Sequence, residues 1–393
     1  MYVRLKAIVV SCVVLFFAVV SSGSVASEAN RLPADLLFTV GTGGLGPQHT
    51  LVRVNNQTGA VTPFYRNDEA GLVLPLQWSP NGQQLLILLI FLDEPQVPSY
   101  TGKLCLLNRA GELQTCFADK PYIAPWMRWK MPIASWSEDG SLVYFVADYG
   151  WEQTGLLSHH LKACLVEADA ITGQTLREVF CLPENTRSLV WSPQLDYAVT
   201  DPLFPQQDAL INLESSEAIN FYTAVATEHV DDLRICPQFS PRGSFLVLIG
   251  SISSPFDGDI VTIMNKQGRP LHQIHRTQDG QEFVTHCPIA WSQDEETIYL
   301  GGGLVGEYTL AVFRYTLSTR TLEVVHSWGP DIFSEDAIFP PFALSPDGTC
   351  LAGTTNPPDM SQVVVLCDGE IIHVDTPYEV NSYPIWVPPA EEK

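Results

Sequence analysis

The sequence predicts an all-β protein, a single β-propeller of seven four-stranded blades, on three observations. A turn motif recurs seven times along the chain. Short β-rich runs and tight turns alternate between the recurrences, and helical periodicity is nearly absent. The two ends of the repeat region complement each other, because one lacks a first strand and the other lacks the remaining three.

The repeat is an apolar or aromatic anchor residue, a serine in most copies, a tight turn and then an apolar strand. The anchors are Trp78, Trp136, Trp191, Phe239, Trp291, Leu344 and Trp386. They follow one another at roughly 40 to 60 residues, a spacing that suits a four-stranded blade. In the Ser-Pro-Asp-Gly form of the turn, Pro presets φ, Asp bonds its own backbone and Gly accepts a positive φ.

The chain ends are expected to close the ring. Residues 36–40, 50–54 and 61–64 form strands two to four of a blade, and residues 384–387 form a first strand. Pairing them removes two open sheet edges that would invite aggregation. Six complete units and this shared unit make seven blades. The fifth and seventh motifs lack the full turn, so six blades remain the alternative count.

These aromatic-Ser-Pro-Asp-Gly turns resemble the TolB-like and WD40-like propeller repeats of secreted bacterial proteins, over residues 34–388. The resemblance implies the fold and no particular function, because one fold hosts many functions. TolB itself resembles a six-bladed propeller preceded by an α/β domain, for which this sequence has no room. The resemblance is therefore to the repeat and not to TolB.

Residues 1–26 are predicted to be a signal peptide. Arg4 and Lys6 precede an apolar run, and Ser24 and Ala26 fit a small-x-small cleavage site. The run of about 14 residues is short of the roughly 20 that cross a membrane. A short linker (27–33), the propeller (34–388) and a C-terminal tail (389–393) follow. We expect export to the periplasm, the cell surface or the medium, with an uncleaved anchor as the alternative.

The net charge of −23 restricts the partners. Such a surface repels phosphate backbones and anionic lipid headgroups, so we expect no nucleic acid and no membrane insertion after cleavage. The partner is predicted to be a protein or a carbohydrate, and the protein itself a monomer.

Three cysteine pairs lie symmetrically about predicted turns or loops, which favours disulfides across hairpins. The pairs are Cys105 with Cys116, Cys164 with Cys181, and Cys350 with Cys367. Eight cysteines remain after signal removal, an even number for an oxidising compartment. The pairing of Cys236 and Cys287 stays open.

Motifs for catalysis are absent from the sequence. It contains no Gly-x-Ser-x-Gly elbow, no His-Glu-x-x-His and no phosphate-binding loop. We therefore expect no cofactor and no metal, although acidic clusters leave bound Ca²⁺ open.

One face of the propeller is predicted to bind the partner. Strand two-to-three loops and inter-blade connections emerge there, and exposed aromatics beside a positive charge are typical of recognition surfaces. The alternative is that these rings cap the blade core. The predicted site residues are Trp126, Arg128 and Trp129 in one inter-blade connection, and Tyr149, Trp151, His159 and His160 in the neighbouring long loop, residues 149–160.

The sequence thus favours a non-catalytic binding or scaffold module. The alternative is a propeller enzyme, a polysaccharide lyase or hydrolase with its site over the central channel. That alternative needs at least three polar residues to meet at the channel mouth. The candidates are His49, His159, His160, His286, Asp231 and Glu307.

Overall fold

The structure is a computed structural model that describes 14 stretches of the chain. They are 32–41, 49–93, 99–122, 134–153, 159–182, 186–202, 209–220, 237–251, 258–307, 309–329, 339–355, 362–376, 379–380 and 382–389. The predicted signal peptide lies outside them. The described residues contain no helix with the length and hydropathy of a membrane-crossing one.

The described residues form seven antiparallel sheets arranged as the blades of a propeller, in agreement with the predicted fold. Blades 1 to 3 follow the chain in order. Blade 1 contains β4 (Leu72–Trp78), β5 (Gln84–Asp93), β6 (Ser99–Asn108) and β7 (Leu113–Cys116). Blade 2 contains β8 (Ala134–Trp136), β9 (Leu142–Gln153), β10 (His159–Asp169) and β11 (Thr175–Cys181). Blade 3 contains β12 (Thr186–Trp191), β13 (Tyr197–Pro202), β14 (Ala209–Asn212) and β15 (Ala218–Asn220).

Blades 4 to 6 repeat the same order, and blade 7 joins the two ends of the repeat region. Blade 4 contains β16 (Gln238–Phe239), β17 (Phe245–Ser251), β18 (Asp259–Asn265) and β19 (Pro270–Ile274). Blade 5 contains β20 (Phe283–Trp291), β21 (Thr297–Leu304), β22 (Leu310–Thr316) and β23 (Thr321–Trp328). Blade 6 contains β24 (Phe339–Leu344), β25 (Cys350–Thr354), β26 (Val363–Cys367) and β27 (Glu370–Val374). Blade 7 contains β28 (Glu379–Val380), β29 (Ile385–Trp386), β1 (Leu36–Gly41), β2 (Thr50–Val54) and β3 (Val61–Arg66).

Blade 7 confirms the predicted closure. Leu36 pairs with Trp386 and Leu37 with Ile385, while β28 pairs with the other end of β1. The indole of Trp386 donates to the carbonyl of Ala343 in blade 6 at 2.8 Å. The N–H of Val387 donates to the carbonyl of Asp35 at 2.8 Å. The first-strand position of blade 7 is therefore filled from the far end of the repeat region.

The serine of the repeat organises each turn. In six blades its hydroxyl oxygen accepts the backbone N–H five residues ahead, where the second strand begins. The serines are Ser79, Ser137, Ser192, Ser240, Ser292 and Ser345. In four of them the hydroxyl also donates to an Asp or Asn two residues ahead. The recurring sequence therefore sets the same starting level for the second strand in these six blades.

The core is divided among the blade interfaces. The buried apolar side chains of the described residues form seven clusters, and each cluster joins two neighbouring blades. One cluster joins blades 6 and 7 through Val365 and Phe38, and another joins blades 7 and 1 through Leu51 and Leu85. Anchor tryptophans add hydrogen bonds between blades, as Trp191 does to the Ser135 hydroxyl at 2.7 Å.

The three predicted disulfides are present. Cys105 is bonded to Cys116, Cys164 to Cys181 and Cys350 to Cys367. Each pair occupies directly opposed positions of an antiparallel hairpin, as the symmetric spacing predicted. The first two link the third and fourth strands of blades 1 and 2, and the third links the second and third strands of blade 6. Cys236 and the Cys287 side chain lie outside the described structure.

Candidate binding surface on blades 1 and 2

The two faces of the propeller differ. One face, here called the turn face, carries the tight turns between first and second strands and between third and fourth strands. The other, the loop face, carries the second-to-third-strand loops and the connections between blades. The second strands of blades 1 and 2 contain 10 and 12 residues. Their counterparts in the other blades contain five to eight.

The second and third strands of blade 2 form the longest hairpin. Because the turn serines set a common start, the extra length of β9 extends on the loop face. β9 is six residues longer than β13, its counterpart in blade 3. This difference corresponds to roughly 20 Å of strand. We call residues 149–153 and 159–162 the blade-2 arm.

A β-bulge marks the base of the arm. Leu161 pairs with Trp151, but Ala163 pairs with Asp148, so Tyr149 and Gly150 together oppose Lys162. Gly150 adopts a φ of 87°, which an L side chain disfavours, and its N–H donates to the Asp148 carboxylate at 2.8 Å. Bulges of this kind redirect side chains. Here the Lys162 ammonium lies 5.9 Å from the centre of the Tyr149 ring, within cation–π range.

Carboxylates surround the exposed aromatic ring. Tyr149 is 38% exposed, one of few large apolar or aromatic side chains in the described structure that reach the solvent. Partial burial, then the charges of Asp119 and Glu178, and a hydrogen bond to Glu178 raise the pKa of its hydroxyl. Asp119 is itself held by the Thr175 hydroxyl of β11. The surface therefore presents an aromatic face, a cation and two carboxylates together.

The connection between blades 1 and 2 leads to the same place. The N–H of Tyr122 donates to the carbonyl of Val146 at 2.7 Å, and the N–H of Asp148 donates to the carbonyl of Lys120 at 2.8 Å. Residues 120–122 thus continue the position of β8 beside β9, next to the arm. Burial and the charge of Asp148 raise the pKa of Tyr122.

The predicted site residues fall into two groups. Trp126, Arg128 and Trp129 lie outside the described residues, although the connection that carries them begins beside the arm. Tyr149, Trp151, His159 and His160 all lie in the arm, with His159 paired to Gln153 and His160 to Glu152. The side chains of Trp151, His159 and His160 are not described.

One expectation about this region was wrong. Residues 149–160 were predicted to form a long loop, whereas β9 continues to Gln153 and β10 begins at His159. The strands extend because Trp151 and Glu152 find backbone partners in β10. The glycine after Tyr149 is the one signal in the sequence for the bulge. Nothing in the sequence places Asp119 and Glu178 beside the ring, since they come from different strands and blades.

Other chemical groups converge less. Cys164, Glu178 and Cys181 lie within reach of one another, but the two sulfur atoms are bonded together, so only the carboxylate could bind a metal. His49 in blade 7 lies 3.4 Å from Asp68, and Glu307 in blade 5 accepts a hydrogen bond from Gln281. His49 and Glu307 are two of the six candidates for an enzymatic site. Each has its own partner, and they lie on different blades.

No protein-family model and no curated protein sequence matches this chain. Solved structures resemble it in fold. The Pseudomonas aeruginosa periplasmic gluconolactonase PpgL has a TM-score of 0.54 at 13% identity, and the alignment covers 89% of this chain and 97% of that chain. The β-propeller domain of Myceliophteria thermophila Cps50 (Swd1) has a TM-score of 0.50 at 12% identity, covering 80% and 90%. TolB from Acinetobacter baumannii has a TM-score of 0.44 at 12% identity, covering 91% and 67%. At these identities the likenesses show the propeller fold alone.

Proposed function

We propose that this protein is an extracytoplasmic, non-catalytic binding module whose protein or carbohydrate partner docks on the blade-2 arm. The observation that carries the proposal is the arm itself, a bulged hairpin that rises above a rigid ring and exposes Tyr149 between charges of both signs. Binding residues on loops and extensions of a rigid scaffold are common, because the scaffold lowers the ordering cost.

The chemistry of the arm and of the carboxylates beside it suits either kind of partner. An aromatic ring stacks on the apolar face of a sugar or a partner side chain, while Asp119, Glu178 and Lys162 can exchange hydrogen bonds and charges with it. The predicted neighbours Trp126, Arg128 and Trp129 would enlarge the same surface. The three disulfides support an oxidising compartment, as the predicted export signal does.

An arm-less variant tests the proposal. Asp148 and Ala163 are directly paired, so residues 149–162 can be replaced by Asn-Gly, a two-residue turn that fits a hairpin. The interface clusters of blade 2 keep Ala147 and Ala163, so the ring should still fold. Wild-type and arm-less proteins are immobilised and exposed to the envelope fraction of the source cells and to an array of glycans. Wild type should capture a protein or glycan that the arm-less variant does not.

The matched control is Ile171→Ala in the same blade. Ile171 is 82% exposed at the turn between β10 and β11, on the turn face. This variant should capture the partner as wild type does. Equal capture by a folded arm-less variant would show that the arm is not the binding surface. The triple variant Trp126→Ala, Trp129→Ala and Trp151→Ala should also lose capture while remaining folded.

The enzyme alternative makes a different prediction. A lyase or hydrolase with its site over the channel would convert a polysaccharide, and replacing two of His49, His286 and Glu307 would abolish turnover. The binding module should release a captured glycan with its mass unchanged, which mass spectrometry of the eluted ligand decides.

A further inference from the structure

A cavity lies on the turn face, where the ring closes. Segments of blades 6, 7 and 1 line this cavity of about 400 Å³, which is open to solvent and is here called the closure cavity. This volume is within the range of small-ligand pockets. It is lined by Asp35 and Arg53 of blade 7, Arg109 of blade 1 and Asp347 of blade 6, among others. The closure cavity is on the opposite face from the blade-2 arm.

Part of the wall of the closure cavity is apolar and rigid. Four prolines line it, namely Pro33, Pro346, Pro388 and Pro389. Proline has a fixed φ and no N–H, so these four residues offer ring surfaces and carbonyl oxygens but no backbone donors. The carbonyl of Pro388 is already bonded to Arg109. Hydrogen-bond donors for a ligand must therefore come from the other lining residues, which include Arg53, Asn56 and Arg109.

Only one of the two guanidinium groups in the closure cavity is bonded to a carboxylate. Arg53 Nε donates to Asp35 at 2.6 Å, whereas Arg109 donates to the carbonyls of Gly82 and Pro388, each at 2.7 Å. Burial, and then the positive charge of Arg53, lower the pKa of Arg109, and Asp35 acts in the opposite direction. Backbone carbonyls do not neutralise a guanidinium, so the pair retains capacity for a second carboxylate.

Asp347 provides the opposite charge. The Ser345 hydroxyl, the Thr349 N–H and the Thr349 hydroxyl all donate to its Oδ1 atom, at 2.6, 3.2 and 2.9 Å. In the described part of the chain Oδ2 receives no donor. Partial burial would raise the pKa of Asp347, but these hydrogen bonds outweigh it and lower the pKa, so the group is ionised at neutral pH. Two cations and two anions thus line a cavity with no net charge.

We propose that the closure cavity binds a small zwitterion, an amino acid or dipeptide, with its carboxylate at Arg53 and Arg109 and its ammonium at Asp347. A zwitterion satisfies both unmatched groups, adds no net charge and places its apolar part against the proline rings. An anion alone would meet the overall negative charge of the protein and leave Asp347 Oδ2 unbonded.

Calorimetric titration at neutral pH with three probes of similar shape tests the proposal. L-alanyl-L-alanine has both charges, N-acetyl-L-alanine lacks the ammonium, and L-alaninamide lacks the carboxylate. The dipeptide should bind saturably, and each half-charged probe should bind at least about tenfold more weakly. Absence of saturable binding by the dipeptide up to about 10 mM would overturn the proposal.

The turns of the repeat supply a matched pair of variants. Asp347→Asn should keep the turn intact, because Asn81 occupies the same position in blade 1 and accepts from Ser79 at 2.8 Å. Asp139→Asn makes the same change in the turn of blade 2, away from the cavity. Asp347→Asn should lose the preference for the dipeptide over N-acetyl-L-alanine, and Asp139→Asn should keep it. Equal effects of the two variants would overturn the proposal.

Arg53→Gln should weaken the dipeptide and N-acetyl-L-alanine and leave L-alaninamide unchanged. Weakening of all three probes alike would also contradict the assigned roles. The arm-less variant should bind the dipeptide as wild type does, so failure at one face is distinguishable from failure at the other.

Discussion

At the residue scale, Glu295 occupies the turn position that is glycine in four other blades. In blades 1, 2, 4 and 6 the residue three positions after the turn serine is a glycine with a positive φ. In blade 5 this residue is Glu295, with a φ of 63°. Left-handed backbone costs about 1 kcal/mol or more for a residue with Cβ. Glu295 is 6% exposed, and its carboxylate accepts the Arg242 N–H at 2.6 Å and bonds from Ser240 and Ser244. It therefore links the turns of blades 4 and 5.

Removing this carboxylate should destabilise the protein. Glu295→Ala should cost about 2 kcal/mol, because the donors of the blade 4 turn, of which Ser240 is buried, lose a charged acceptor. Glu295→Gly should cost about 1 kcal/mol less than Glu295→Ala, since glycine relieves the backbone strain. Glu138→Ala, at an exposed turn position of blade 2, is the control and should change little. Chemical unfolding measures all three, and equal stability of the Ala and Gly variants would contradict the strain.

The contribution of Glu295 should depend on pH. Burial would raise its pKa, but the hydrogen bonds from Ser240, Ser244 and the backbone outweigh it and hold the folded pKa below the ordinary 4.5. Stabilisation is then present above pH 4.5 and is lost as the pH falls through the lower, folded pKa. The difference in unfolding free energy between wild type and Glu295→Ala should therefore shrink only in acid. A constant difference down to pH 2 would rule this out.

At the element scale, the disulfides strengthen individual hairpins without joining blades. Cys181 is exposed, whereas Cys116 and Cys367 are half-buried and their partners are buried. Thiol exchange depends on access to a sulfur atom, so a mild reductant should open Cys164–Cys181 before the other two. Alkylation and peptide mapping at successive times measure the order. Simultaneous opening of all three bonds would contradict it.

Loss of that disulfide should weaken the propeller without unfolding it. The variant Cys164→Ala with Cys181→Ala removes a bond that closes a 17-residue separation, for which chain entropy gives about 3 kcal/mol at most. The packing of Val166 and Leu165 against blades 1 and 3 remains. Chemical unfolding of the variant and of wild type, each with and without reductant, measures the free energies of unfolding to be compared.

At the scale of the whole molecule, the ring depends on the strand supplied from its far end. A chain that stops after residue 383 loses β29, the Trp386 bond to Ala343 and the Pro388 bond to Arg109. The lost burial of Trp386 alone is worth roughly 3 to 5 kcal/mol, and two sheet edges open. A large fall in melting temperature and aggregation in size-exclusion chromatography are expected. A chain that stops after residue 389 is the control, and an unchanged melting curve for the shorter chain would contradict closure.

Local chemistry explains which features the sequence could predict. The Ser-centred turns depend on residues a few positions apart and the opposed cysteines on residues 11 or 17 positions apart, so the blades and the disulfides were predictable. The arm was not predictable, because Gly150 and its charged neighbours suggest a loop. Only the pairing with β10 makes these residues continue β9. The closure cavity was also not predictable from the sequence, since Asp35, Arg109 and Asp347 come together only when the ring of seven blades has formed.

The joining of β1 to β29 also means that the propeller has no fixed starting point. Val387 donates to Asp35, so the two ends of the repeat region already touch, and a short peptide linker could join them. Each cluster of the core then bridges two blades in the same way around the whole circle. A circularly permuted chain, opened at a tight turn such as 169–173, would retain every inter-blade contact described above. The folded ring therefore does not depend on which blade is synthesised first.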